Sequence, residues 1–281
     1  MSAPTIYTDL EQGSPEWLQA RCGVVTASVI GQLISSSAPG PGLYVCSECF
    51  ADVGEPCMSM ARKEPKPIKT FHGARHVEAE KNAATSAPVL TVATSDKAQA
   101  AILRLAAERI SGHVEETFTT WDMQRGHDDE PKARDEYEQR NNVTVDEIGF
   151  MTRTIDGVTI GYSPDGLVAD DGLIECKSRR QATQLAHWIN GDKPSVPAEN
   201  MAQLQTGLLV SGRDWIDYLG FAEGWPTLEI RVYPEAQWAA VIVAAAKYAE
   251  TEIQRITTTY TERTAGLTPS ERTPDIADLR F

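Results

Sequence analysis

The stretch GYSPDGLVADDGLIECKS (residues 161–178) carries Asp165, Glu175 and Lys177 in a pattern that suits divalent-metal chemistry. On a strand, residues two apart share a face, so Glu175 and Lys177 point one way while Ile174 and Cys176 face the opposite, buried side. The turn signal Asp170-Asp171-Gly172 folds this strand back along the one that ends near Asp165, so the three groups converge at one end of a hairpin. Two carboxylates and a backbone carbonyl are hard oxygen ligands of the kind Mg²⁺ and Mn²⁺ prefer. A lysine beside them orients or helps deprotonate a water on the metal and screens the charge of a phosphate. Spacing alone fits a solvated hairpin too, its acid and base forming a surface pair of little worth.

A second constellation is soft rather than hard: Cys46, Cys49 and Cys57, followed by His72 and His76. Cys-x₂-Cys is the spacing of a metal knuckle, and thiolates with imidazole in a set of four select tetrahedral zinc. The favoured set is Cys46, Cys49, Cys57 and His72, with His76 as the alternate fourth ligand. Four protein ligands close such a site and make it structural. The alternatives are a loop of free thiols beside two incidental histidines, and a redox pair at Cys46 and Cys49 without the βαβ surroundings such a pair needs. Arg62, Lys63, Lys66, Lys69 and Arg75 stand against Glu64 alone in this region, a local charge of +4 in a chain of net −14. That excess suggests a surface touching duplex DNA; a solvated lysine-rich loop accounts for it nearly as well.

The elements that must position these groups are legible from periodicity and turn residues. Residues 14–34 read as two short helices, the second starting near Thr26 and Ser28, and 35–42 (SSSAPGPG) as a loop. A helix-period stretch from Asp96 stops at Gly112, and Asp128 and Asp129 are read as caps of a helix running to about Arg140. EIGFMTRTI and VTIGYS flank Asp156-Gly157, a hairpin signal. A helix follows with Met201, Leu204, Leu208 and Leu209 on one face, then strands WIDYLGF and TLEIRVYP. A long helix from about Glu235 to Ile256 turns Trp238, Val241, Ile242, Ala245, Tyr248 and Ala249 inward, and the polar stretch after Arg263 reads as a flexible or docking tail. This order gives an α/β domain around a mixed sheet flanked by helices. Its expected divisions are 1–38 and 81–262 for the main domain, 39–80 for a zinc-binding insertion, and 263–281 for the tail.

Bulk properties narrow the function classes. Five cysteines, three of them within twelve residues, fit metal ligation better than a disulfide framework. No apolar run approaches the roughly 18 residues that span a bilayer, and MSAPTIYTDLEQGSPEW lacks a secretory signal's basic start and apolar core. The expected location is therefore the cytoplasm, with no membrane contact. A charge of −14 over 281 residues argues against a broad basic surface. It leaves room for a local basic site, and metal ions offset acidic ligands at the point of contact.

Four blocks in order, EWLQARCGVVTAS (16–28), RGHDDEPKARDEYE (125–138), YSPDGL with IECKS (162–178) and MAQLQ (201–205), make the chain resemble the lambda-exonuclease and YqaJ-type viral recombinase nucleases of the PD-(D/E)XK superfamily. The resemblance implies a metal site of Glu130, Asp165, Glu175 and the Cys176 carbonyl, holding two Mg²⁺ or Mn²⁺ ions, with Lys177 acting on the attacking water. Read from the sequence, Glu130 sits in a first helical turn, where an acid is favoured by the dipole whatever its role. The resemblance further implies a 5′-phosphate pocket of Arg21, Ser28, Ser163 and Gln203, for which Gln205 is a close competitor. Taken without the family, Arg21 reads as a salt bridge, Ser28 as a cap and Ser163 as a turn residue. Leu18 stands where family members often carry His. The implied activity is 5′-to-3′ digestion of one strand of linear double-stranded DNA, leaving a 3′ overhang for recombination. A ring-shaped trimer and a single-strand annealing partner are implied as well. CSECFADVGEPC with the later FHGARH also looks like short zinc modules of bacterial and phage proteins.

Overall fold

The computed structural model describes residues 2–60, 64–83, 86–115, 120–190 and 193–271. Strand β1 (Thr5–Tyr7) leads to helix α1 (Pro15–Arg21), which Ser14 caps by accepting the Trp17 amide at 3.2 Å. Next come β2 (Val25–Thr26), α2 (Ala27–Leu33), β3 (Ile34–Ser37) and a 3-10 turn at Pro41–Leu43. Helix α3 (Gly73–Asn82) and strand β4 (Val89–Val92) precede α4 (Asp96–Ser111), which Ser95 caps and Gly112 stops in the left-handed region. Helix α5 (Trp121–Asn141) ends on Asn142, also left-handed, and β5 (Val145–Asp146) follows. Strands β6 (Phe150–Ile155) and β7 (Val158–Tyr162) form the expected hairpin, with Asp156 and Gly157 both at positive φ. After β8 (Gly166–Val168) and β9 (Gly172–Ser178) come α6 (Gln181–Ile189), α7 (Ala198–Ser211), β10 (Trp215–Phe221), β11 (Leu228–Val232) and α8 (Ala236–Arg263).

The expected mixed α/β architecture is present, the described strands forming two mixed sheets of order β1-β6-β7-β2 and β11-β10-β9-β8-β5 and a separate β3-β4 ribbon. Strands β9 and β10 run parallel, a pairing that needs the crossover supplied by α6 and α7. Leu173 and Ile174 serve opposite faces of this sheet. Leu173 joins the main core with Ile30, Ile102, Leu204, Leu208, Ile242 and Ala249 from the helices, and Ile174 joins a smaller cluster under α5 with Tyr137 and Leu219. The chain crosses from one sheet to the other between β7 and β8, through Ser163, Pro164 and Asp165. No helix among the described residues is long and apolar enough to cross a membrane.

Several local expectations change. Residues 35–37, read as loop, pair as β3 with β4, because the partner that recruits them lies more than fifty positions away. Helix α5 starts at Trp121, with Thr120 Oγ1 accepting the Met123 amide at 3.2 Å, so Glu130 lies well inside it rather than in its first turn. Asp128, Asp129 and Pro131 resemble a helix start, but the helix continues through the proline, and Asp129 is buried rather than capping. Helix α6 lacks a clear start signal, its N-cap Arg180 making no side-chain capping bond, and sequence reading misses it. Arg75, counted with the exposed bases, is fully buried and donates to the carbonyls of Ala51 (2.8 Å), Asp52 and Glu55 (2.7 Å). Arg62, Lys63 and residues 272–281 of the expected tail lie outside the described residues, while the long helix reaches Arg263 rather than ending near Ile256.

Candidate active site

The crossing between the sheets shapes a cleft of about 360 Å³. Its floor comes from the local chemistry of β9. Strand β8 pairs β9 only from Gly166 onward, against Ile174, so the C-terminal half of β9 has a free edge on that side. Asp165 fills the gap by accepting the Cys176 amide on Oδ2 at 2.7 Å. N–H and C=O of one strand residue leave on the same side. The Cys176 carbonyl therefore points along the edge that Asp165 occupies, not into the ladder with β10.

Glu175 is fully buried and fully partnered. Its Oε2 accepts from the Tyr162 hydroxyl at 3.1 Å, and its Oε1 accepts from Lys177 Nζ and Gln203 Nε2, both at 2.5 Å. Glu130 reaches the same cleft from α5, held by Arg134 at 2.8 Å; Arg134 also bonds the Asp165 carbonyl at 3.2 Å and pairs with Glu147. Crowding three acids out of water has the expected electrostatic cost. Burial, then Glu175 and Glu130, push the Asp165 carboxyl well above the carboxylate range. Burial also raises Glu130, against the pull of Arg134. Burial opposes the Lys177 ammonium, but Glu175 and Asp165 outweigh it and carry the group above its ordinary value. Concentrated acidic oxygens with a free-edge carbonyl form a donor set that fits a hard divalent cation.

A cationic cradle shares this cleft. Arg21 lies over the Trp17 ring at 4.1 Å and donates to Ser163 Oγ at 2.8 Å and to Ser28 Oγ at 3.4 Å. Trp17 is fixed in turn by bonds from its indole N–H to the Gly149 carbonyl at 2.9 Å and Ser163 Oγ at 3.0 Å. Burial lowers the Arg21 guanidinium to about 10, which still leaves it charged at neutral pH. Ser28 is not the cap of α2, a position held by Thr26; its hydroxyl lies 3.0 Å from that of Thr26. Gln203 donates to Glu175 within the same cleft, whereas Gln205 is buried and tied to the Tyr233 carbonyl and the Glu235 amide. Gln205 is thereby occupied structurally.

All nine residues expected at the metal and phosphate sites line this one cleft. Sequence reading missed Arg134 and Tyr162. An arginine four residues after Glu130 on a helix was the available signal for the first; nothing local marked the second.

Elsewhere, the ligand atoms of Cys46, Cys49, Cys57 and His72 all lie within 4.8 Å of one another. Zn–S bonds of about 2.3 Å place tetrahedral ligands about 3.8 Å apart, so the set fits zinc. Cys46 Sγ is 3.4 Å from His72 Nδ1, and His76 is exposed and outside the group. The Met58 amide, 3.4 Å from Cys49 Sγ, is the main cause bringing that thiol down to about 6. Cys46 and Cys57 are buried, and none of the cysteines forms a disulfide.

No curated protein matches the chain. Among solved structures, an alkaline exonuclease (LHK-Exo) from Laribacter hongkongensis is similar over 91% of this chain and 100% of its own, at 24% identity and a TM-score of 0.61. The same protein in complex with dAMP gives the same values. These show a shared fold. Residues 75–214, which include the four acid and lysine positions of the cleft, match the YqaJ-like viral recombinase domain, so over this stretch the chain is similar to that viral recombinase family.

Proposed function

We propose that this chain is a divalent-metal-dependent exonuclease that digests one strand of linear double-stranded DNA from its 5′ end and leaves a 3′ overhang. One observation carries the reading: Ser163 of the cationic cradle and Asp165 of the acidic cluster are separated by a single proline and line one cleft. A 5′-terminal phosphate seated on Arg21 would thus lie within reach of the carboxylates. Asp165, Glu175, Glu130 and the Cys176 carbonyl are the residues that would hold Mg²⁺ or Mn²⁺, as two ions. Such ions supply Lewis acidity and a nucleophile at neutral pH.

The chain's own groups divide the remaining work. Lys177 extends along the same face of β9 as Glu175, orients the attacking water and offsets charge on the phosphate. Tyr162 and Gln203 fix the Glu175 carboxylate, and Arg134 fixes Glu130. Arg21, stacked on Trp17, presents rigid paired donors to the terminal phosphate, with Ser28 and Ser163 beside it. In the same proposal, residues 39–80 form a zinc-binding insertion carried on the β3–β4 ribbon, and 1–38 with 81–262 form the nuclease core. Family resemblance adds a ring-shaped trimer and a single-strand annealing partner.

The test uses linear duplexes labelled at one 5′ end or one 3′ end and incubated with Mg²⁺. Release of labelled mononucleotide from the 5′-labelled strand first supports the proposal. Internal fragments indicate an endonuclease on the same core, and retention without cleavage indicates an end-binding protein.

A further inference from the structure

We propose that Trp121, Arg125 and Arg180 form a strand-holding site on the rim of the cleft, taking a phosphodiester group and one unstacked base of single-stranded DNA. The inference rests on the nuclease reading for its substrate. It adds a second phosphate site to the one at Arg21.

The first turn of α5 and the end of β9 bring Asp122, Gly126 and Ser178 to the cleft wall. Two guanidinium groups converge there on one carboxylate. Arg125 reaches Asp122 Oδ1 at 2.6 Å, and Arg180 reaches the same oxygen at 2.9 Å and Oδ2 at 3.1 Å. Two positive charges against one leave a net positive rim, in a chain whose overall charge is −14. As a device for stability this arrangement returns little, because the Asp122 and Arg180 side chains are 55% and 68% exposed. As a phosphate site it is well prepared: one carboxylate holds both planar donors in place, and an incoming phosphate takes over its role.

A second observation points to the same ligand. Trp121, beside Asp122, is 89% exposed, the most exposed of the large apolar side chains among the described residues. An indole left in water next to guanidinium groups is the combination that holds single strands, because every base offers a face for stacking whatever its sequence. The rim is also wired to the reaction site. Arg125 Nε donates to Ser178 Oγ at 2.9 Å, and that hydroxyl donates to Asp129 at 2.6 Å; Ser178 follows Lys177 directly on β9. A strand drawn out of its duplex toward the carboxylates exposes its bases at this point, which is where a stacking surface is useful.

The test measures binding of the full chain, with no divalent metal added, to a fluorescein-labelled duplex bearing a short 5′ single-stranded tail. Blunt duplex and free oligonucleotide serve as comparisons. Trp121→Ala and Arg180→Ala are each expected to weaken binding to the tailed duplex by about tenfold, the size expected for one lost base stack or charge-assisted contact. Arg180→Ala also lowers the salt slope by about 0.7, one contact to a single strand, and Arg180→Lys restores that slope. Asp122→Asn is expected to do the reverse, tightening binding and steepening the slope. A purely structural clamp would instead lose binding in Asp122→Asn as it does in Arg180→Ala. Affinities within twofold of the parent in both Trp121→Ala and Arg180→Ala, or weaker binding in Asp122→Asn, overturn the proposal. In a parallel assay with Mg²⁺ added, binding without hydrolysis by the parent would remove the nuclease reading and leave this rim site standing; hydrolysis by the parent with unchanged metal-free binding in the variants would do the opposite.

Discussion

The cleft draws its eight expected side chains and one backbone carbonyl from positions 21 to 203, carried on the helices and strands of both sheets and the segment between them, whereas the Cys/His group draws its four members from positions 46 to 72. The first is an open depression of oxygen donors with a cationic cradle on its wall. The second is a closed set of sulfur and nitrogen donors, two of its cysteines fully buried. In the cleft, a fold held by its own apolar core positions the ligands. In the short segment around Cys46, Leu43, Val45, Phe50, Val53 and Met60 are exposed, and little apolar surface remains to hold the loops together. There, under the zinc proposal, the four ligands and the buried Arg75, which binds three carbonyls, would substitute for a core. The difference separates a site that uses the fold from a site that makes it.

The sharpest break between them should come from charge removal in the cleft. Lys177→Ala is expected to lower cleavage by about 10³-fold or more, while DNA affinity stays within about threefold; a variant retaining a tenth of parental activity would contradict the role given to the ammonium. Cys57→Ser should act on the other region alone. Zinc measured by elemental analysis is expected to fall from about one per chain to near zero, and residues 39–80 should become sensitive to protease while the core keeps its melting transition. Loss of the whole fold in this variant would show that the two regions are one cooperative unit.

Smaller effects refine the same contrast. Arg21→Ala should reduce the preference for 5′-phosphorylated over 5′-hydroxyl ends by about 10- to 100-fold, the worth of charge-assisted bonds to one phosphate. A preference that survives places the 5′-phosphate elsewhere. Lys66→Glu with Lys69→Glu is expected to weaken duplex binding by less than about threefold, because only part of the local basic excess faces water once Arg75 is buried. A tenfold loss would give the closed region a direct part in DNA binding.

What the sequence disclosed follows the same division. The Cys/His set was legible from spacing, since its ligands come from one short segment and its geometry from the knuckle. Asp165, Glu175 and Lys177 were legible because strand alternation and one turn fix their relation. Glu130, Arg21 and Gln203 became legible only through the order of four motifs, as no local rule brings α1, α5 and α7 to one cleft. Asp128-Asp129 with Pro131 misled the reading of α5 because capping residues and a proline mark a start only when the helix has not already begun. The β3–β4 pairing was invisible for a similar reason: Ser35, Ser36 and Ser37 have weak strand preference, and their partner lies at the far end of the intervening segment.

Anomalous diffraction from crystals soaked in Mn²⁺ addresses the cleft most directly. The account predicts a manganese peak within coordination distance of Asp165, Glu175 and the Cys176 carbonyl, with Glu130 facing it. A well-ordered crystal with full access to Mn²⁺ and no peak among these groups would contradict it.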